Sequence, residues 1–273
     1  MIGLGSIIGD ISGSIYEFGP AVKKENVRLI DSRKVFSQRS FTDDTIHTVA
    51  TMDWLNDGVL TSEAYAIKLK DWSRKYRNAG YGGMFRQFME SESTEPYGSF
   101  GNGPAMRVSP VVFFSNSISE ALDLAKKSAE ATHNHEEGVK GALAVTNAMF
   151  MARNGFSKED IKSMIEKMYG YNLDLDFGNM GLAVHQFDAT CQVTVPEAIV
   201  CFLKSDSYAD CIKNSISIGG DTDTIACIAG GIAECYYNVP QIFKSLAWNE
   251  YLDDELKDVI VKFNKNCLKN FGK

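Results

Sequence analysis

Apolar residues recur at a helical spacing of three to four positions along most of the chain. Strict alternation of apolar and polar residues, which is typical of a half-buried strand, occurs only in few and short segments. The pattern therefore predicts an all-α protein. The predicted helices cover residues 3–18, 44–56, 62–77, 118–131, 138–153, 158–169, 196–203, 207–214, 224–237, 240–246 and 250–268.

Two of these helices carry a row of small residues on one face. In the helix at 3–18, glycine recurs every four positions at Gly5, Gly9 and Gly13. Residues four apart share a helix face, so this face is nearly flat and another backbone can approach it closely. The helix at 224–237 has a similar face of alanine and glycine. We expect these two helices to pack together.

The loops between the predicted helices are short. Gly-rich loops lie at 80–83, 98–103 and 178–181, and none is long or biased enough to be an interdomain linker. No segment repeats with a period of 20 to 50 residues, which argues against a solenoid. We therefore predict that residues 1–273 form one domain.

Composition limits the classes of partner. The formal net charge is -7, which leaves no positive field to gather nucleic acid or an anionic membrane surface. A small anionic ligand could still bind through backbone N–H groups and a metal ion. No run of about 18 apolar residues occurs, so no membrane-spanning helix is expected. The six cysteines include no C-x-x-C pair, which favours reduced thiols and a cytoplasmic protein.

Two predicted helices begin with paired carboxylates beside hydroxyl groups. The residues are Thr42, Asp43 and Asp44 at one helix start, and Asp221, Asp223 and Thr224 at the other. A capping oxygen followed by acids is also what any helix N-terminus prefers, because the acids oppose the positive end of the helix dipole. Each motif alone is therefore explained equally well as a helix cap.

The doubling of this motif is not explained by capping. If both helix starts meet in space, their carboxylates repel, because two unit charges 4 Å apart cost about 4 kcal/mol at an effective dielectric near 20. Protons or bound cations relieve that repulsion. Oxygen ligands without cysteine or histidine favour hard ions such as Mg²⁺, Mn²⁺ or Ca²⁺. Two such ions would make a two-metal hydrolytic centre.

Glu17 is a further candidate for the same centre. It lies seven residues after Asp10, which is nearly two helical turns. A helix over 3–18 would therefore place both carboxylates on one stripe at the end of that helix. A lone glutamate near a helix end is otherwise usually solvated.

Ligand contacts are predicted in two other segments. Three glycines in the loop at 98–103 would let the backbone approach a ligand, and Phe100 offers a ring face for stacking, although a plain turn also explains the loop. His133 and His135 are two residues apart and cannot share a helix face. One of them is expected to contact a polar ligand, and a core or capping histidine is the alternative.

Taken in order, these segments resemble the ADP-ribosylglycohydrolase family. The matching motifs are G-D-x-x-G-x-x-x-E at 9–17, T-D-D-T at 42–45, G-N-G-x-A-M-R at 101–107, T-H at 132–133 and G-G-D-T-D-T at 219–224. The resemblance implies an orthogonal multi-helix fold, two Mg²⁺ or Mn²⁺ ions, and hydrolysis of the bond between ADP-ribose and an acceptor. Pro104 departs from the family pattern, which has a small residue there, and it removes one N–H group.

The resemblance also assigns expected roles to residues of this chain. The implied metal ligands are Thr42, Asp43, Asp44, Asp221, Asp223 and Thr224. The implied contacts to ADP-ribose are Ser99, Phe100, Gly101, Asn102, Gly103 and His133. Glu17, Asp43 or Asp44 would activate water or protonate the leaving group. The alternative is a catalytically inactive ADP-ribose-binding or structural relative, and the complete acidic set favours the enzyme.

Overall fold

The computed structural model of the chain describes residues 1–31, 38–176 and 187–271. The first seven helices are α1 Gly5–Gly13, α2 Asp43–Asp57, α3 Ser62–Lys75, α4 Gly83–Glu90, α5 Gly103–Met106, α6 Ser109–Phe114 and α7 Ile118–Glu130. The next seven are α8 Glu136–Arg153, α9 Lys158–Tyr169, α10 Cys191–Leu203, α11 Tyr208–Ser217, α12 Thr222–Tyr236, α13 Gln241–Leu246 and α14 Asp254–Phe271. A 3₁₀ turn at Lys24–Asn26 and a π-helical turn at Ala247–Tyr251 complete them.

The all-α prediction is confirmed. Within the described ranges, extended pairing is limited to one isolated bridge between Gly101 and Thr190. No helix of the described residues is both long and apolar enough to cross a membrane. The predicted loop at 178–181 lies outside the described residues.

The first predicted helix is wrong in length. It ends at Gly13 and is followed by turns, so Glu17 lies beyond the helix and does not share a helical stripe with Asp10. The helix predicted at 196–203 begins earlier, at Cys191, and contains Pro196 in its interior. Helices α4, α5 and α6 were not predicted from the sequence.

Helix α12 is the centre of the fold, and α1, α8, α10 and α11 pack around it. The predicted packing of α1 on α12 is confirmed. A Cβ atom added at Gly9 would lie 2.0 Å from the carbonyl oxygen of Ala226, and one at Gly13 would lie 2.4 Å from that of Thr222. Real Cβ atoms do not approach backbone so closely, so this contact requires glycine. It brings the start of α12 against the end of α1.

Candidate metal and ligand site

Asp10, buried on α1, positions the start of α2. Its Oδ1 accepts a hydrogen bond from Thr42 Oγ1 at 2.9 Å, and its Oδ2 accepts from the backbone N–H of Thr42 at 3.0 Å and of Thr45 at 3.1 Å. The hydroxyl of Thr45 donates to the same Oδ2. Asp10 lies in the motif at 9–17 but was not predicted as a site residue. Here it ties α1 to the start of α2, which carries Asp43 and Asp44.

The starts of α2 and α12 meet, as the two-metal interpretation requires. The hydroxyl of Thr224 donates to Asp44 Oδ2 at 3.2 Å. The hydroxyl of Thr42 also accepts a hydrogen bond from the N–H of Asp44 at 3.3 Å, so it caps α2 as well as contacting Asp10. The capping interpretation is therefore correct for Thr42.

Capping does not explain Asp221. It occupies the N-cap position of α12, but its side chain accepts no capping hydrogen bond from that helix. Its Oδ2 instead accepts from Asn102 Nδ2 at 2.6 Å, which links the acidic cluster to the Gly-rich loop. Asp223 is the second residue of α12, and its Oδ1 accepts from the N–H of Thr224 at 3.0 Å.

Glu17 joins this cluster from the turn after α1. One carboxylate oxygen each from Glu17, Asp221 and Asp223 lie within 4.8 Å of one another. Asp221 and Asp223 are buried and Glu17 is half-buried. The structure therefore brings Glu17 beside Asp221 and Asp223, although the helical stripe from which the sequence analysis placed Glu17 does not form.

Burial and mutual repulsion raise the pKa values of these acids. Desolvation first, and then the charge of Asp223, raises the pKa of Glu17 to about 8. Desolvation raises the pKa of Asp10 and that of Asp221 to about 6, against hydrogen bonds that lower them. The pKa values of three further acids lie well above the usual range, because burial is reinforced by neighbouring carboxylates; these are Asp43, Asp44 and Asp223.

A cavity of about 220 Å³ opens beside the acidic cluster. The predicted site residues that line it are Asp43, Ser99, Gly101, Asn102, Gly103 and His133. The start of α4 forms another part of the wall, and this was not foreseen because α4 itself was not predicted.

The Gly-rich loop is fixed by its own hydrogen bonds. The N–H of Gly101 donates to Ser99 Oγ at 3.1 Å, and the N–H of Asn102 donates to the carbonyl of Ala189 at 2.8 Å. The N–H of Cys191 donates in turn to the carbonyl of Phe100 at 3.0 Å. The N–H groups of Gly101 and Asn102 therefore already have partners within the protein. The loop contributes to a ligand site mainly through its shape.

The two histidines of this region have different roles. His135 is the N-cap of α8, and its ring nitrogen accepts from the N–H of Glu137 at 3.2 Å. His133 lines the cavity and is buried. Phe100 is not part of the cavity lining; its side chain is 46% exposed, and its ring contacts that of His135.

Two buried residues of the cavity wall were missed by the sequence interpretation. His47 follows Asp43 by four positions, so it lies one turn further along the same face of α2, and this spacing was the available signal. Arg107 ends the G-N-G-x-A-M-R motif and is fully buried. Burial of a guanidinium could not be inferred from the motif alone.

Comparison with known proteins shows the family of the chain. A model of the family described as ADP-ribosylglycohydrolase matches residues 3–272. The chain therefore belongs to the ADP-ribosylglycohydrolase family.

Among individual relatives, the chain is 27% identical to mouse ADP-ribosylhydrolase ARH3, over 88% of this chain and 84% of that protein. It is 24% identical to an ADP-ribosylarginine hydrolase of Pseudomonas putida, over 91% of this chain and 74% of that protein. A solved structure described as an ADP-ribosylglycohydrolase-related protein complex matches with a TM-score of 0.76. That match covers 97% of this chain and 95% of the other at 21% identity, which shows the common fold.

Proposed function

We propose that this protein hydrolyses the glycosidic bond between ADP-ribose and an acceptor, with the help of two divalent cations, Mg²⁺ or Mn²⁺. The acceptor would belong to a protein, a nucleic acid or a small molecule. The observation that carries the proposal is the convergence of acidic residues from the turn after α1 and from the starts of α2 and α12 beside one cavity.

The donor set fits hard cations. Asp44 Oδ1 is buried and has no hydrogen-bond partner among the described residues, although burying a carboxylate oxygen without a partner is costly. The oxygens around it come from carboxylates and hydroxyls, which are the ligands preferred by Mg²⁺ and Mn²⁺. The residues that would hold the cations are Thr42, Asp43, Asp44, Asp221, Asp223 and Thr224.

Glu17 is suited to proton transfer. Its pKa of about 8 leaves the carboxyl protonated near neutral pH when no cation is bound. A group that titrates near the working pH can give a proton to a leaving acceptor or take one from water. Asp43 and Asp44 are the other candidates for these two roles. Bound cations would neutralise the carboxylates and hold the hydroxyls of the reacting ribose, where positive charge develops as the acceptor leaves.

The cavity beside the cluster would hold ADP-ribose. Ser99, Gly101, Asn102 and Gly103 would contact the ligand along one wall of the cavity. His133 lies against this loop and would contact the ligand beside it. Phe100 would stack on the adenine from outside the cavity, where its ring is exposed. Asn102 touches both regions, because its amide donates to Asp221 from the Gly-rich loop. This hydrogen bond supports a fixed position of the proposed cation ligand Asp221 relative to the proposed ligand-binding loop.

The direct test is release of free ADP-ribose from a panel of substrates. ADP-ribosylated arginine, serine and DNA would be incubated with the protein and Mg²⁺ or Mn²⁺, with chelator as the control. We expect release from at least one substrate and none after chelation. Binding of ADP-ribose and metal without release from any substrate would contradict the enzyme and identify an inactive relative.

A further inference from the structure

Three buried side chains form a hydrogen-bonded chain in and behind the cavity wall: Arg107 and His133 line the cavity, and Thr132 lies between them. Arg107 Nη2 donates to Thr132 Oγ1 at 2.8 Å and to the carbonyl of Ser128 at 2.9 Å. Thr132 Oγ1 lies 2.7 Å from His133 Nδ1. Arg107 and Thr132 are both 0% exposed, so water does not compete for these bonds.

The donor in each bond follows from the chemistry of the groups. A guanidinium has N–H donors and no acceptor, so Thr132 Oγ1 must accept from Arg107. A hydroxyl has one hydrogen, and the hydrogen of Thr132 is then free to point to His133 Nδ1. The hydroxyl of Tyr97 also lies beside Thr132, but its geometry does not make a hydrogen bond among the described residues, so the hydrogen of Thr132 is assigned to the histidine ring. With the hydrogen of Thr132 directed to the ring, His133 Nδ1 is an acceptor and carries no hydrogen.

The other ring nitrogen faces the Gly-rich loop. A Cβ atom added at Gly103 would lie 3.1 Å from His133 Nε2, and one at Gly101 would lie 3.5 Å from it. Gly101 and Gly103 line the cavity together with His133, and because neither has a side chain, room is left beside Nε2. Burial, and then the positive charge of Arg107, lowers the pKa of His133 well below its usual value, so the ring is neutral at physiological pH.

We propose that Arg107 and Thr132 are positioning residues that hold His133 in the neutral tautomer with its hydrogen on Nε2. His133 then donates one hydrogen bond from Nε2 to an oxygen of the bound ADP-ribose. The donated bond rests on the proposed function, whereas the tautomer is a property of the protein without ligand. The two parts can therefore be tested separately.

The tautomer is tested by ¹⁵N NMR of the histidine side chains in the ligand-free protein. The chain has four histidines, and His133→Gln identifies the signals of His133. We expect a pyridine-type shift at Nδ1 and a pyrrole-type shift at Nε2 in the parent protein. The opposite assignment in the parent would overturn the proposal.

Thr132→Val and Thr132→Ser form a matched pair of variants. Valine has nearly the same shape but no hydroxyl, so we expect averaged shifts from a mixture of tautomers. Serine keeps the hydroxyl and should keep the parent shifts. Arg107→Met removes the donor to Thr132 and should also give a mixture; if it fails to fold, Thr132→Val still decides. Equal spectra for the valine and serine variants would contradict the proposed chain.

Ligand binding is tested by calorimetry with ADP-ribose and Mg²⁺. Thr132→Val should weaken ADP-ribose about tenfold, or about 1.4 kcal/mol, because only part of its histidine offers the donor. Thr132→Ser should bind within about twofold of the parent. In an assay of substrate hydrolysis the valine variant should raise KM and leave kcat nearly unchanged, which a general loss of structure would not do.

The outcomes separate the two proposals. If the parent binds no ADP-ribose, the proposed function fails and the donated bond fails with it, while the NMR assignment still decides the tautomer. If the parent binds ADP-ribose but the valine variant binds equally well, the proposed function stands and the role of Thr132 and Arg107 is overturned.

Discussion

Asp221 and Asp223 distinguish a cation site from a pair of helix caps. Asp221 makes no capping bond to α12, so its charge has another use in the fold. We expect Asp221→Asn and Asp223→Asn to lose bound metal and most turnover. Without metal, each variant should be as stable as the parent or more stable, because repulsion between buried carboxylates is relieved.

The measurements are metal content, melting temperature with and without metal, and release of ADP-ribose. Asp160→Asn is the matched control, since Asp160 is an exposed acid in the first turn of α9 whose N–H bonds to Ser157 Oγ at 3.1 Å. This control should keep parental metal content and turnover. Full activity in both Asp221→Asn and Asp223→Asn would defeat the two-metal proposal.

Glu17 should behave differently from the aspartates. It is half-buried, and it shares the cluster with Asp221 and Asp223 but lies on a turn. We expect Glu17→Gln to keep at least one metal ion and ADP-ribose binding, while the rate falls by about 10²- to 10⁴-fold, the usual loss when an acid or base is removed. Calorimetry and single-turnover kinetics would measure the two effects. A loss of metal equal to that in Asp223→Asn would make Glu17 a ligand instead.

At the scale of elements, the contact between α1 and α12 determines whether the site can form. Gly9→Ala would place a Cβ atom 2.0 Å from a backbone oxygen, and backbone cannot yield as a side chain does. We expect a loss of stability at or above the upper end of the usual range of about 1–3 kcal/mol for overpacking. Metal affinity should fall as well, because the acids of the two segments separate.

Urea unfolding and metal titration would measure these losses. Gly83→Ala is the control for stability, because Gly83 is the first residue of α4 and an added Cβ there meets nothing within 4 Å. Alanine also favours the helical conformation over glycine. Equal stability of the Gly9 and Gly83 variants would contradict a close backbone contact between α1 and α12.

Long helices could be predicted from the sequence and short ones could not, for a physical reason. Long amphipathic helices repeat their apolar pattern over several turns, so α3, α7 and α9 could be located closely. Helices α4, α5 and α6 have eight, four and six residues, which is shorter than the window that reveals a helical period. The spacing of apolar residues also does not reveal the turns after Gly13, so the first helix was predicted to be longer than it is.

The part of the site that could be predicted from the sequence is the part whose chemistry follows from residue types alone. Paired carboxylates at two helix starts predict electrostatic repulsion if the two starts meet. The structure does bring Asp44 and Thr224 together. The roles of Asp10 and Arg107 depend on distances between segments far apart in the chain. The bond from Arg107 to Thr132 spans 25 positions, and no local pattern marks such a partner.

At the scale of the molecule, the site joins segments from both ends of the chain. Gly3 and Gly5 donate their N–H groups to the half-buried Glu234 on α12, and Asp44 meets Thr224, 180 positions away. Ligands that bridge such segments bind the folded state alone. We expect ADP-ribose with millimolar Mg²⁺ to raise the melting temperature, since a ligand at 100 times its Kd stabilises by about 2.7 kcal/mol. No shift with ADP-ribose, but a shift with an unrelated phosphate ester, would contradict the assignment.

The stability of the metal-free protein should fall as pH rises from about 7 to 8, because a buried acidic cluster favours bound protons. Glu17 has a folded pKa of about 8, above its unfolded value near 4.5, so its protonated form stabilises the fold and this stabilisation is lost as pH passes through 8. The raised pKa values of Asp43, Asp44 and Asp223 act in the same direction.

The pH range of the measurement has to lie above the range in which protonation of the buried histidines affects stability. Burial lowers the pKa values of His47 and His133, so these rings destabilise the fold only where the unfolded histidine gains a proton, below about pH 6.5. Between pH 7 and 8 the acids therefore set the slope. Urea unfolding of chelated protein should show stability falling with pH, and saturating Mg²⁺ should reverse the slope, because cations bind the deprotonated carboxylates. Asp223→Asn should make the stability of the chelated protein depend less on pH. If the stability of the chelated parent is constant or rises between pH 7 and 8, the pKa values of the carboxylates are not raised in the fold.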